Sequence, residues 1–354
     1  MKLKPLHIGD LTIPVPIIQG GMGVGISLSS LAGAVAKEGA VGVISAAQPG
    51  FLSNDFLTNT VETNLKSLAY HIKKAKEISN GGIIGVNIMR AATHYADYVN
   101  CCIENGADMI ISGAGLPMEL PDLIGDATIK FAPIISSVKA ANVLLHRWDK
   151  KGKRMPDFVV IEGPKAGGHL GFSEKELLSW LEKEDKYYDE EVKKIINYVK
   201  GFEQKYNRSF PVIFAGGVYD RNDIEHYMNL GCDGVQMATR FVATEECDAD
   251  IEYKMAYIAA KKEDITIVKS PVGMPGRAIN NPFVELRKNE KENIKKCYHC
   301  LEKCNPSTTP YCITEALIRA AKGNTKDSLL FCGANAYKIN KITTVKEIIK
   351  ELNQ

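Results

Sequence analysis

No run of this chain is apolar for long enough to cross a bilayer as a helix, and the opening Met1-Lys2-Leu3-Lys4-Pro5 carries no signal-peptide apolar core. A soluble, cytoplasmic protein is therefore expected. Charge of one sign is missing as well. Lys and Arg number 44 against 42 Asp and Glu, a net charge of +2, so nothing points to nucleic acid or an anionic membrane as partner. Neither proline (15) nor glycine (30) is in excess, and with 45% hydrophobic and 24% charged residues the composition is globular. At 354 residues the chain has room for one large domain or two smaller ones.

What is present is a rhythm. Short apolar, β-branched runs at 15–19, 41–45, 83–88, 109–112, 131–135, 158–161, 212–215 and 234–237 alternate with amphipathic stretches such as 29–38, 62–78, 94–104, 138–148 and 221–230. Strands of near-continuous hydrophobicity between helices imply a parallel sheet covered on its outer face. Eight such pairs is the count of a (β/α)8, or TIM, barrel. A doubly wound sheet competes, but Gly20-Gly21-Met22-Gly23-Val24-Gly25 lacks the third glycine at dinucleotide-fingerprint spacing, and a lone partial match is weak. The expected organisation is a barrel over 1–263, with a helical insertion at 173–209 lengthening the sixth-to-seventh strand connection, and a C-terminal extension over 264–354. The insertion has two readings, a cap beside the site or a lengthened outer helix with a charged face.

In such a barrel the chemistry gathers in the loops after the strands' C-terminal ends. Glu162-Gly163-Pro164-Lys165-Ala166-Gly167-Gly168-His169-Leu170-Gly171-Phe172 follows the apolar run Phe158-Val159-Val160-Ile161, so a loop leaves a buried strand there. Gly and Ala allow close approach of backbone and ligand, and the single imidazole among them exchanges a proton near neutral pH. Alone, this would be a glycine-rich turn with an ordinary surface histidine; the neighbouring loops argue otherwise. Gln19-Gly20-Gly21-Met22-Gly23 offers backbone amides to a planar ligand, and Gly85-Val86-Asn87-Ile88-Met89 brings an amide side chain to the mouth. Ala215-Gly216-Gly217-Val218 and Gly234-Val235-Gln236-Met237-Ala238-Thr239-Arg240-Phe241 form a pair at the last two strands, the position of a phosphate cradle.

Together with Pro16-Ile17-Ile18-Gln19-Gly20-Gly21-Met22 and Ala166-Gly167-Gly168-His169, these motifs resemble the nitronate monooxygenase family, formerly 2-nitropropane dioxygenases. The flavin-dependent type II enoyl-acyl-carrier-protein reductases share the barrel and nearly the same motifs. The resemblance spans about residues 10 to 282. It implies FMN across the barrel mouth, with the backbone of Gly21, Met22 and Gly23 and the side chain of Asn87 at the isoalloxazine. Gly216, Gly217, Gln236 and Thr239 would hold the ribityl phosphate. Glu162, Gly167, Gly168 and Met237 belong to the same cofactor set, and Lys139 approaches from the side. His169 matches the family's active-site histidine, the base or hydrogen-bond donor in nitronate oxidation. Three functions follow: oxidation of alkyl nitronates with oxygen as acceptor; NAD(P)H-dependent reduction of an enoyl thioester or other activated alkene; or a non-catalytic flavin- or metal-binding regulator. The first is favoured; against the third, a binding module has no need of the imidazole. The expected partner is a small molecule, and a homodimer stays open. Ser270-Pro271-Val272-Gly273-Met274-Pro275-Gly276-Arg277 resembles a segment found across the same superfamily. Arg277 either neutralises an acidic group or, the favoured reading, ties the post-barrel segment to the body.

Nine cysteines divide into two groups. Cys101, Cys102, Cys232, Cys247 and Cys332 are scattered and read as buried thiols. Cys297, Cys300, Cys304 and Cys312 give C-x2-C-x3-C-x7-C, a spacing that suits an iron–sulfur cluster or zinc.

Overall fold

The structure, a computed structural model, describes residues 2–183 and 185–354; Met1, and Glu184 within the expected insertion, lie outside the described residues. Eight parallel strands close into a barrel: β1 (Ile17–Gln19), β2 (Val41–Ser45), β3 (Ile83–Met89), β4 (Met109–Gly113), β5 (Lys130–Ile135), β6 (Val159–Glu162), β7 (Val212–Ala215) and β8 (Gly234–Met237). The ring closes where β8 pairs with β1, Val235 opposite Ile17. The TIM-barrel expectation is met, with strand bounds within a residue or two of the apolar runs. Among the described residues no helix is long and apolar enough to cross a membrane.

Period-2 alternation sorts each strand between two cores. Ile18, Val41, Val43, Met109, Ile111, Ala132, Val160 and Ile213 fill the barrel interior. Leu6, Ile8 and Ile13 join them from an N-terminal hairpin, Leu6–Ile8 paired with Leu11–Ile13, which closes one end of the barrel. Ile44, Ile84, Val86, Ile88 and Ile161 face outward and pack under the helices. Gly42 makes one such contact close: a Cβ there would stand 1.8 Å from the Ala32 carbonyl of helix Ser29–Lys37.

The 173–209 segment is resolved in favour of the outer-helix reading. Helix Asp185–Tyr206 packs on β6 and on its neighbours Val138–Ala141 and Arg221–Leu230, while the short helix Glu174–Leu181 precedes it. None of its described residues lines the main cavity. The chain beyond 264 does so instead. Ile265–Lys269 and Pro275–Ile279 form an antiparallel ribbon that adds Gly168–His169 as a third strand. Ile318, Leu330, Val345, Ile348 and Leu352 belong to the same apolar core as the barrel's outer face.

Candidate active site

The inward alternation that fills the barrel with Val and Ile reaches its C-terminal rim with polar or small side chains. Two residues beyond Ile18, Val160 and Gly234 stand Gly20, Glu162 and Gln236, and Asn87 follows Gly85 on β3. Asn87 is in register with Ser45, and Gln236 with Ala215. Above them opens a cavity of about 680 Å³. Gly21 packs so closely beneath it that a Cβ would lie 2.5 Å from that of Asn87. Gln236 Oε1 is buried there without a hydrogen-bond partner in the protein. A buried amide oxygen left unpaired is costly, so the floor is built to accept a donor from something bound.

His169 is not in a loop, as its glycine-rich setting suggested. It is a strand residue, paired opposite Gly276, and the Leu170 N–H donates to the Pro275 carbonyl at 2.9 Å. Its Nε2 shares a hydrogen bond with the Ser270 hydroxyl at 2.7 Å, and its ring meets Phe331 edge-on at 4.9 Å. Burial drives the imidazole pKa down to about 4, so the ring is neutral at pH 7. Glu162 responds to the same environment in the opposite sense. Burial raises its carboxyl to about 7, opposed by the Gly171 N–H, which donates to Oε2 at 2.6 Å, and by the Arg277 charge. The guanidinium of Arg277 donates to the carbonyls of Pro164, at 2.9 Å, and Ala166. It therefore ties the extension to the glycine-rich loop, as favoured, and fixes the backbone on which His169 is carried.

Gly216 and Gly217 adopt φ of 112° and 82° after β7, left-handed values that favour glycine. Thr239 opens the turn after β8. Its Oγ1 accepts the Gly333 N–H at 3.0 Å, and Asn335 Nδ2 donates to the Gly217 carbonyl at 2.6 Å. The segment 332–335 thus lies across both loops of the expected phosphate cradle.

Gly21, Met22, Gly23, Asn87, Lys139, Glu162, Gly167, Gly168, His169, Gly216, Gly217, Gln236, Met237 and Thr239 all line this one cavity; Lys139 does so from the exposed rim. Of the four clustered cysteines only Cys300 lines it. Among the described residues no group of three or more His, Cys, Asp or Glu side chains is arranged as a metal's ligands. Sequence reasoning missed Ser270, Phe331 and the 332–335 cover, as well as Tyr98, Tyr298 and Leu317 at the far end of the cavity. For Ser270 the segment containing Arg277 was a signal; the others carry no motif.

The family described as "Nitronate monooxygenase" matches residues 4–354. A Staphylococcus saprophyticus protein described as "Probable nitronate monooxygenase" is 26% identical over 385 aligned positions, covering 100% of this chain and 99% of its own. A Staphylococcus aureus (strain Newman) protein of the same description is 27% identical over 296, with 78% of each covered. Among solved structures, FabK from Thermotoga maritima superposes with a TM-score of 0.70 at 25% identity, over 95% of this chain and 91% of that one. Nitroalkane oxidase from Streptomyces ansochromogenes gives a TM-score of 0.68 over 96% of each chain; at 18% identity it shows a common fold.

Proposed function

The chain belongs to the nitronate monooxygenase family, and from that premise we propose that it is an FMN-dependent enzyme that oxidises alkyl nitronates with oxygen as acceptor. The residues fit the cofactor. The unpartnered Gln236 Oε1 awaits a donor, Gly21 lets the first loop pack directly against Asn87 at the cavity wall, and the left-handed turn at Gly216 and Gly217 suits a phosphate monoester. Glycine-bearing and threonine-bearing loops side by side after β7 and β8 suit one terminal phosphate, the ground for proposing FMN in preference to a dinucleotide. When bound, the flavin supplies the oxidation of the substrate and the return of electrons to oxygen.

The protein's own part is positioning and proton handling. The hydrogen bond between Nε2 and the Ser270 hydroxyl holds the ring; in the tautomer that carries its proton on Nε2, Nδ1 of His169 is the acceptor a base requires. Its depressed pKa keeps that acceptor free of protons at neutral pH. Arg277 and the ribbon hold the ring in place, and Phe331 limits its rotation. The observation that carries the reading is this neutral, anchored imidazole lining the same cavity as the unpartnered Gln236 oxygen.

The test is an absorbance spectrum followed by anaerobic titration with propionate-3-nitronate and, separately, NADH. Flavin bands bleached by the nitronate and indifferent to NADH support the proposal. A second reading has support in the likeness to FabK, a type II enoyl-acyl-carrier-protein reductase. Bleaching by NADH with recovery on adding an enoyl thioester would establish that alternative. A protein that binds no flavin after incubation with FMN would overturn both.

A further inference from the structure

The cysteine segment has no part in the chemistry above. Between helices Pro282–Arg287 and Ile313–Ala321 the described chain forms no helix or strand beyond the single bridge of Leu301 to Ala92. Irregular connections of this length are uncommon inside compact proteins and usually functional. Side chains tie it to the body, among them Glu302 to Arg90 and Glu292 to Arg319, and backbone bonds join them. The Thr93 N–H donates to the Cys300 carbonyl at 3.3 Å, the Glu302 N–H to Ala91 at 3.1 Å, and the Glu292 N–H to Pro310 at 2.8 Å.

Four features concern the sulfurs themselves. All four are unpaired thiols, and each lies within electrostatic reach of another: Cys300 of Cys304 and Cys297, Cys304 of Cys297, and Cys312 of Cys300. His299 adopts a φ of 49°, and its N–H donates to Cys297 Sγ at 3.4 Å, a tight turn that already gives the first sulfur a backbone hydrogen bond. Such bonds to sulfur are among the means by which proteins tune thiolate-bound clusters. Cys312 occupies the N-cap of Ile313–Ala321, which places the fourth sulfur on a regular element beside the irregular segment. Cys300 and Cys304, both half-buried, pack against an apolar group that includes Leu301, Tyr311 and Ile313.

We propose that Cys297, Cys300, Cys304 and Cys312 ligate an iron–sulfur cluster beside the active-site cavity. No three of them are arranged as the ligands of a single ion, so the cluster itself has to draw them together, as happens where a site is completed by its metal. A run of three close cysteines with a distant fourth matches cluster ligation better than the paired knuckles of structural zinc. Lys295, Lys296 and Lys303 lie beside or within the run in sequence. Cys300 places one ligand in the cavity wall.

The experiment is iron, acid-labile sulfide and zinc analysis of the full chain purified without oxygen, with electron paramagnetic resonance after dithionite reduction. About four iron and four sulfide per chain, or a stoichiometric smaller cluster, with a paramagnetic signal on reduction, is expected. Cys297→Ser and Cys304→Ser should each lose at least nine-tenths of the iron while Cys232→Ala keeps it. Circular dichroism shows whether the barrel survives in each variant, and the metal content of the parent protein decides the matter if a variant fails to fold. Zinc in place of iron, no metal in the parent, or full iron in both folded serine variants would overturn the proposal.

Discussion

Two side chains in the cavity answer burial with opposite proton affinities, and both consequences are measurable. His169 has a pKa near 4 against an ordinary 6.5, so between these values the unfolded chain binds the extra proton. Its contribution to stability is present above about 6.5 and lost as pH falls toward 4. Glu162 has the reverse sign. Raised from 4.5 to about 7, it favours the folded state below 4.5 and withdraws that support as pH rises through 7. Glu162→Gln keeps an acceptor for the Gly171 N–H and removes the titration. In the cofactor-free protein its melting temperature should exceed the parent's at pH 8 and converge with it near pH 5. His169→Ala should retain flavin, read from its absorbance, while turnover of a nitronate falls by roughly 10²–10⁴. The imidazole among glycines was legible as a candidate from the sequence. Its anchors were not: Ser270 and Phe331 lie 101 and 162 positions away (270 − 169 and 331 − 169), and a lone Ser or Phe announces no contact at that distance.

Among elements, the tightest contact is that of β2 against helix Ser29–Lys37 at Gly42. Gly42→Ala should cost about 3 kcal/mol in urea unfolding, because the new methyl meets backbone that cannot turn aside. Gly81→Ala, at a φ of 92° with open space around it, should cost only about 1 kcal/mol of backbone strain. Arg277→Met removes the donors to the Pro164 and Ala166 carbonyls. Thermal or urea unfolding should show a loss of about 2 kcal/mol, and spin-column assays a weaker hold on flavin. The eight strands could be read because parallel strands buried on both faces are apolar throughout. The ribbon could not. Pro275-Gly276-Arg277-Ala278-Ile279 has strand-poor residues in front, and Gly168–His169 is too short to show any period. Even the helix read as continuous over 138–148 widens to π geometry at Asn142–His146, a local change with no compositional sign.

At the scale of the whole molecule, the division at residue 263 is one of sequence rhythm, and the apolar core crosses it. Val345, Ile348 and Leu352 pack in the same cluster as Leu31 and Val35. A fragment ending at residue 263 should lack a cooperative urea transition by circular dichroism, whereas the full chain should show one. The cover at 332–335 has a consequence in time. Gly333 and Asn335 bridge the loops after β8 and β7, yet they leave the ribosome about a hundred residues after those strands. A nascent chain at that stage lacks both the cover and the part of the shared core that the C-terminal helix supplies. Flavin retention is then a late step of biogenesis: site and cover are completed together, once translation has delivered the C-terminal segment.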